Sequence, residues 1–311
     1  MEKNANIFVA GAETMIGAAL VRALEKNGYE NVSSESDYML DLTDSTSVTL
    51  YFDDSTPDYV FVTAGKSGGI AANQRYPADL ITDNLLVSTS VIQAAFKTGV
   101  KKLLYLASSC SYPKNCPQPM REEALLSGPL EPTNEAYAVS KIAGIKLCQS
   151  YATQYGVLFV SGIPANAFGP DDDFDTENSH VIAALLRRMH EAQASKSQYV
   201  ELWGTGTPRR EFIFVDDLAD ACILVMQKYK GMEPINLGCG TDLSIAELAE
   251  MIKEVVGFEG KIVFNSSKPD GMSRKLLESN KLKALGWKPK TNMRQALGIT
   301  YRWYLEQMIY V

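Results

Sequence analysis

Short apolar runs alternate with stretches of helical spacing through the first half of the chain. Residues 6–10 (NIFVA) read as a strand, followed by a helix through IGAALVRALEKNG that stops at Gly28. The runs 58–65 (DYVFVTAG) and 101–109 (KKLLYLASS) are continuously apolar and bounded by turn residues. Runs of that kind predict strands buried on both faces, as in a parallel sheet. Between them, residues 84–99 carry apolar side chains at helical spacing and close on Gly99. A second long amphipathic helix is expected over 137–156, with a strand after it at 157–164. Alternation of this sort predicts an α/β fold, a Rossmann-type doubly wound parallel sheet.

Beyond Pro164 the pattern becomes irregular, with loops at FGPDDDFDTENS and KGMEPINLG. Helices are expected at 180–194, 215–229, 244–257 and 294–308. No internal repeat, low-complexity tract or long linker interrupts the chain. The expected division is a dinucleotide-binding domain over 1–165, to which 212–230 returns. Residues 166–311 then form mainly a smaller α/β substrate lobe closing over the carboxyl edge of the sheet.

Composition narrows the function without redirecting it. A chain of 311 residues, 46% hydrophobic and 22% charged, is an ordinary globular protein of one large domain, or a large and a small one. A net charge of −7 argues against nucleic-acid or anionic-membrane partners, so an anionic substrate needs a local basic cluster. The five cysteines include no CxxC pair, which points to a reduced, cytoplasmic protein. There is no signal-peptide pattern, no apolar run long enough to span a membrane, and no histidine cluster that predicts a metal.

Between the first strand and helix, Gly11, Thr14 and Gly17 stand at the three positions of a glycine-rich dinucleotide turn. The first glycine serves the tight turn, and the last allows close helix–strand packing. The middle position normally lets the backbone approach a pyrophosphate at the helix N-terminus. Thr14 adds a branched side chain there, and with it a hydroxyl able to donate to a phosphate. Glu35 and Asp37 lie 18 and 20 residues after Gly17, where a second strand should end. A carboxylate at that place accepts a hydrogen bond from the adenosine ribose of NAD. With Glu13 nearby, a 2′-phosphate would face three carboxylates. One like-charge contact at about 4 Å costs roughly 1 kcal/mol in water and several near a protein surface. NAD(H) is therefore favoured over NADP(H).

Tyr137 and Lys141 form Y-x-x-x-K on one face of the expected helix, so the ammonium can lower the phenol's pKa and hold a nicotinamide ribose. Ser108 stands at the carboxyl end of a buried strand, where open α/β sheets build their sites. Together these three suit proton transfer beside a hydride carrier.

These motifs, with SGGIAAN, SSCSYPK, PLEPTNEAYAVSKIAGIKLCQSY, ENSHVIAALLRRMHEA, WGTGTPRREFIFVDDLADA and SKPDGMSRKLL, cover the chain from about residue 6 to 305. On them the sequence resembles the extended short-chain dehydrogenase/reductases, and within these the GDP-L-fucose synthase family. The resemblance implies epimerisation at C3 and C5 of a GDP-4-keto-6-deoxyhexose, followed by hydride transfer to C4. Cys110 and His180 are implied as the epimerising acid–base pair, with Ser108, Tyr137 and Lys141 serving the reduction. The implied cofactor site further takes in Met15, Ile16, Asp41, Leu42, Ala64, Lys66, Pro164, Asn166 and His180. Substrate contacts are implied at Ser109, Asn166, Asn178, Val181, Arg188, Trp203, Arg210 and Lys275. Arg187, Arg209 and Arg274 are adjacent to three of these, and one of each pair is expected to face solvent. A homodimer through the helices at 84–99 and 137–156 is also implied.

The sequence departs from that family at the cofactor turn. Family members usually carry glycine where Thr14 stands, arginine where Glu13 stands, and arginines near Glu35 and Asp37 that serve NADP(H). Gly65 replaces an alanine and Phe168 a tyrosine. An NAD-dependent 4-dehydrogenase, 4-reductase or epimerase of a related GDP-hexose or GDP-heptose is thus the alternative. A non-enzymatic dinucleotide sensor is a remote one.

Overall fold

The computed structural model describes residues 1–175, 179–268 and 270–308, apart from the side chain of Ile70. In the first half, β1 (Asn6–Ala10), α1 (Met15–Lys26), β2 (Asn31–Ser34), α2 (Ser45–Ser55) and β3 (Tyr59–Val62) alternate. They lead through α3 (Ile70–Arg75), α4 (Pro77–Lys97), β4 (Lys102–Leu106) and α5 (Glu135–Tyr155) to β5 (Leu158–Pro164). α4 starts one and a half to two turns earlier than the apolar spacing indicated. Pro77 stands in its first turn, where a missing N–H costs nothing.

The second half begins with β6 (Asn166–Phe168), α6 (Val181–Ala194), β7 (Tyr199–Trp203), β8 (Arg209–Arg210), β9 (Phe212–Phe214) and α7 (Val215–Lys228). It continues with β10 (Ile235–Leu237), β11 (Leu243–Ser244), α8 (Ile245–Val256), β12 (Lys261–Asn265), β13 (Arg274–Lys275), α9 (Asn280–Ala284) and α10 (Met293–Met308). The two- and three-residue strands here are too short to leave a periodic signal.

Six parallel strands form the main sheet in the order β10-β5-β4-β3-β1-β2. From β1 the chain crosses to β2 on one side and then returns to β3 on the other. The crevice where that direction reverses, beyond the carboxyl ends of β1 and β3, is where such sheets bind ligands. Right-handed crossovers leaving in opposite directions put their helices on opposite faces. Accordingly α1 packs on α7, while α4 packs between α2 and α5.

The buried apolar side chains separate into two clusters. One surrounds the sheet and includes Phe8, Phe61, Leu104 and Phe159, together with Val215–Met226 side chains of α7. It also takes Ile235, Leu237, Leu277, Leu282 and Trp287, so more of the late chain returns to the sheet than 212–230. The other cluster joins α6, α8 and α10 through Leu186, Met189, Leu248, Ile252 and Leu297. Among the described residues no helix is long and apolar enough to cross a membrane.

Candidate active site

The turn between β1 and α1 needs glycine at both ends. Gly11 has φ +94°, and a Cβ at Gly17 would lie 1.9 Å from the Gly11 carbonyl oxygen. Thr14 fits between them as the N-cap of α1. Its Oγ1 donates to the Gly11 carbonyl at 2.7 Å and accepts from Gly17 N at 3.1 Å. The threonine hydroxyl thus ties the turn to the helix rather than projecting from it.

Glu35 follows β2 directly and reaches under this turn. Gly11 N donates to its Oε1 at 2.8 Å, while Oε2 is buried with no partner. Burial pushes the Glu35 carboxyl above its usual range, and the nearby charge of Glu13 adds to this. Glu13 is exposed and accepts from Ser36 Oγ at 2.7 Å. Asp37 is turned back on its own strand, taking Ser34 N at 2.7 Å and Ser34 Oγ at 3.0 Å. Asp41 likewise accepts from Thr43 N and Oγ1, while Leu42 and Ala64 are buried. Lys66 is exposed and paired with Asp83.

A cleft of about 710 Å³ opens from this corner across the carboxyl edge of the sheet. Glu13, Thr14, Met15 and Ile16 line one end; Ser108, Ser109, Cys110, Tyr137, Lys141, Pro164, Asn166, His180 and Val181 line the rest. Ser108 lies two residues past β4, where its Oγ accepts from Cys110 N at 3.2 Å and caps a single 3₁₀ turn. Tyr137 is in the first turn of α5, and Lys141 comes one turn later on the same face. The Lys141 ammonium lies 5.8 Å from the centre of the Tyr137 ring, and burial lowers its pKa to about 8. Burial, reinforced by Cys110, raises the Tyr137 phenol, and the Ser108 hydroxyl opposes the rise. Tyr137 is consequently protonated at neutral pH and can give a proton to an oxygen placed beside it.

The Cys110 sulfur has two nitrogen neighbours. Asn134 Nδ2 is 3.2 Å away and Lys275 Nζ 3.5 Å away. Burial pushes the thiol up, but Lys275, Ser108 and Asn134 together outweigh it and set the value below that of an ordinary thiol. His180 stands at the start of α6 and opens onto the cleft. The protein atoms around it lower its pKa, Asp173 works against this, and Lys275 adds to it. Two groups able to exchange protons therefore share a cavity with a phenol donor.

The basic residues of α6, β8 and β13 lie outside the central cleft lining. Arg188 donates to the Glu201 carbonyl of β7, and Trp203 on the same strand is exposed under Lys268, 5.2 Å from the ring centre. Arg209 and Arg274 both pair with Asp242, and Arg187 pairs with Glu191. Arg188, Arg210 and Lys275 make no ion pair among the described residues, so each basic doublet sends one member to a carboxylate. Asn178 lies outside the described residues. Asn134, Asp172, Asp173 and Phe212 also line the cleft and were not singled out from the sequence. Asn134 precedes the Y-x-x-x-K helix, a position that signals capping; nothing in DDDFD distinguishes Asp172 from its neighbours.

The orphaned Glu35 Oε2 and the two obligatory glycines beside the N-terminus of α1 fit a dinucleotide. The chain matches the NAD dependent epimerase/dehydratase family over residues 7–238. It is 52% identical over 309 residues to the putative GDP-L-fucose synthase 2 of Arabidopsis thaliana, a match covering 99% of this chain and 94% of that protein. A GDP-6-OMe-4-keto-L-xylo-heptose reductase from C. jejuni has the same fold, with a TM-score of 0.92, 36% identity and 99% coverage of both chains. A GDP-L-fucose synthetase from Naegleria fowleri bound to NADP gives a TM-score of 0.91 at 30% identity, covering 99% of this chain and 95% of that one. With that match over residues 7–238 and 52% identity along nearly the whole chain, the chain belongs to the NAD dependent epimerase/dehydratase family.

Proposed function

We propose that this protein is a GDP-sugar epimerase/reductase acting on a GDP-4-keto-6-deoxyhexose. The observation that carries the reading is that Cys110 and His180 share one cleft with Ser108, Tyr137 and Lys141. A C4 ketone acidifies the hydrogens on C3 and C5. When one of the pair removes such a proton, the C–H electron pair moves into an enolate. Its oxygen is met by Tyr137 and Ser108, and a proton returned on the opposite face inverts the centre. A bound nicotinamide dinucleotide supplies the hydride that C4 then receives. Tyr137 gives the C4 oxygen its proton, with Lys141 holding the ribose and a positive charge beside the phenol. In this reading residues 1–165 and 212–230 hold the dinucleotide. The rest, with Arg188, Trp203 and Arg210, holds the GDP-sugar, while Lys275 ends beside Cys110.

The preferred cofactor is NAD(H), because Glu35 and Glu13 flank the turn where a 2′-phosphate would lie. The Naegleria fowleri relative, by contrast, is bound to NADP. A homodimer through α4 and α5 is supported by the exposed apolar side chains Leu86 and Val139. The five free cysteines suit a reducing, cytoplasmic setting.

The likeness to the C. jejuni GDP-heptose reductase favours a second reading, C4 reduction of a GDP-heptose. One experiment separates the two. The enzyme is given GDP-4-keto-6-deoxy-D-mannose in deuterated water with NADH or NADPH, and the product is analysed by NMR. Deuterium at C3 and C5 with inverted configuration is the expected result. Reduction without exchange favours the second reading, and neither reaction refutes the first. Tyr137→Phe should lower reduction about a hundredfold or more and slow exchange less, because Ser108 still meets the enolate oxygen.

A further inference from the structure

One cation from the second lobe reaches the acid–base pair. β13 runs parallel to β8, with Arg274 opposite Arg209 and Lys275 opposite Arg210. Successive side chains of a strand leave on opposite faces. Asp242 takes both Arg209 and Arg274 on one face, so Arg210 and Lys275 are presented on the other. Lys275 Nζ ends 3.5 Å from Cys110 Sγ, and Asn134 Nδ2 approaches the same sulfur at 3.2 Å. Two N–H groups converging on one sulfur suit a thiolate, which accepts hydrogen bonds far better than a neutral thiol.

We propose that Lys275 is a positioning residue for epimerisation: it holds Cys110 as a thiolate and so makes Cys110 the base that opens the reaction. The inference rests on the reading that Cys110 serves proton exchange at C3 and C5. In the step concerned the C–H bond breaks, its electron pair enters the enolate of the C4 ketone, and the proton passes to Sγ. Burial opposes the thiolate, and Lys275, ahead of Ser108 and Asn134, reverses that preference. The other titratable groups at the sulfur's side of the cleft are Tyr137, kept neutral by burial, and His180, whose charged form Lys275 disfavours and Asp173 supports. The basic doublet of β13 thus has divided work: Arg274 fixes the strand on Asp242, and Lys275 sets the charge on the sulfur.

Alkylation of Cys110 by iodoacetamide, followed by peptide mass spectrometry from pH 5 to 10, tests the link directly. The expected midpoint in the unmodified protein lies below the ordinary thiol value of about 8.5. Lys275→Met should raise it by about one unit or more, a roughly tenfold loss of thiolate near neutral pH. Lys275→Arg should leave it nearly unchanged. Deuterium wash-in should fall about tenfold in Lys275→Met at pH 7 and recover as the pH rises. A purely structural defect would lower it at every pH. An unshifted midpoint in Lys275→Met overturns the proposal. Should that variant fail to fold, a midpoint at or above about 8.5 in the unmodified protein overturns it alone. Alkylation needs no sugar nucleotide, so a low midpoint without wash-in refutes the epimerase reading and leaves the Lys275–Cys110 link standing.

Discussion

Gly11 N donates to Glu35 Oε1 at 2.8 Å, while Glu35 Oε2 is buried and takes no hydrogen bond. A buried acceptor left unpaired costs about 1–3 kcal/mol. A ribose 2′-hydroxyl can relieve that cost by donating, whereas a 2′-phosphate brings negative charge against Glu35 and Glu13. We expect kcat/KM for NADH to exceed that for NADPH by about tenfold or more, since tenfold corresponds to about 1.4 kcal/mol and lies within that energy range. Glu13→Arg combined with Glu35→Ser should reverse the order, because it removes both carboxylates and supplies a guanidinium for the phosphate. Steady-state rates with both cofactors decide the matter. A tenfold preference of the unaltered enzyme for NADPH would sink the idea.

Thr14 stands where a third glycine would be expected, and its hydroxyl is fully engaged between the Gly11 carbonyl and Gly17 N. Thr14→Ala should therefore cost about 1 kcal/mol of stability through the lost N-cap, and Thr14→Gly only a few tenths for the cap itself. Urea denaturation of the cofactor-free protein measures both. Equal midpoints for Thr14→Ala and the unaltered protein would mean that the cap contributes nothing.

The parallel sheet was legible because continuous apolar runs such as 58–65 have few other places to go. Ser108, Tyr137 and Lys141 could be anticipated because one strand end and one helix face fix them locally. The meeting of Lys275 with Cys110 was not legible in these terms. It depends on a two-residue strand whose orientation is set by Asp242, which is 33 residues from Arg209 and carries no periodic signal of its own. The sequence treated Glu13, Glu35 and Asp37 as one acidic set. Only tertiary geometry shows that Asp37 is spent on Ser34 while Glu35 keeps an oxygen free.

Asp172 and Glu211 are both buried carboxyls whose pKa burial raises to about 7, yet their replacement should act in opposite directions. Both hold a proton in the folded state that the unfolded chain releases near pH 4. Each therefore contributes stability that is fully present below about pH 4 and is lost as the pH rises through about 7. Asp172 takes one backbone N–H, from Asp173, and leaves Oδ2 unpaired. Asparagine can keep that one bond without ever ionising, so Asp172→Asn should be more stable by about 1–3 kcal/mol at pH 8 and nearly neutral at pH 4. Glu211 instead uses both oxygens, accepting from Gly240 N at 2.6 Å and Leu277 N at 2.8 Å. A glutamine offers one acceptor and points an NH₂ at the second N–H, so Glu211→Gln should lose about 1–3 kcal/mol. Thermal melts at the two pH values measure both variants. A Tm for Asp172→Asn that follows the unaltered protein from pH 4 to 8 would show that Asp172 does not carry the buried charge.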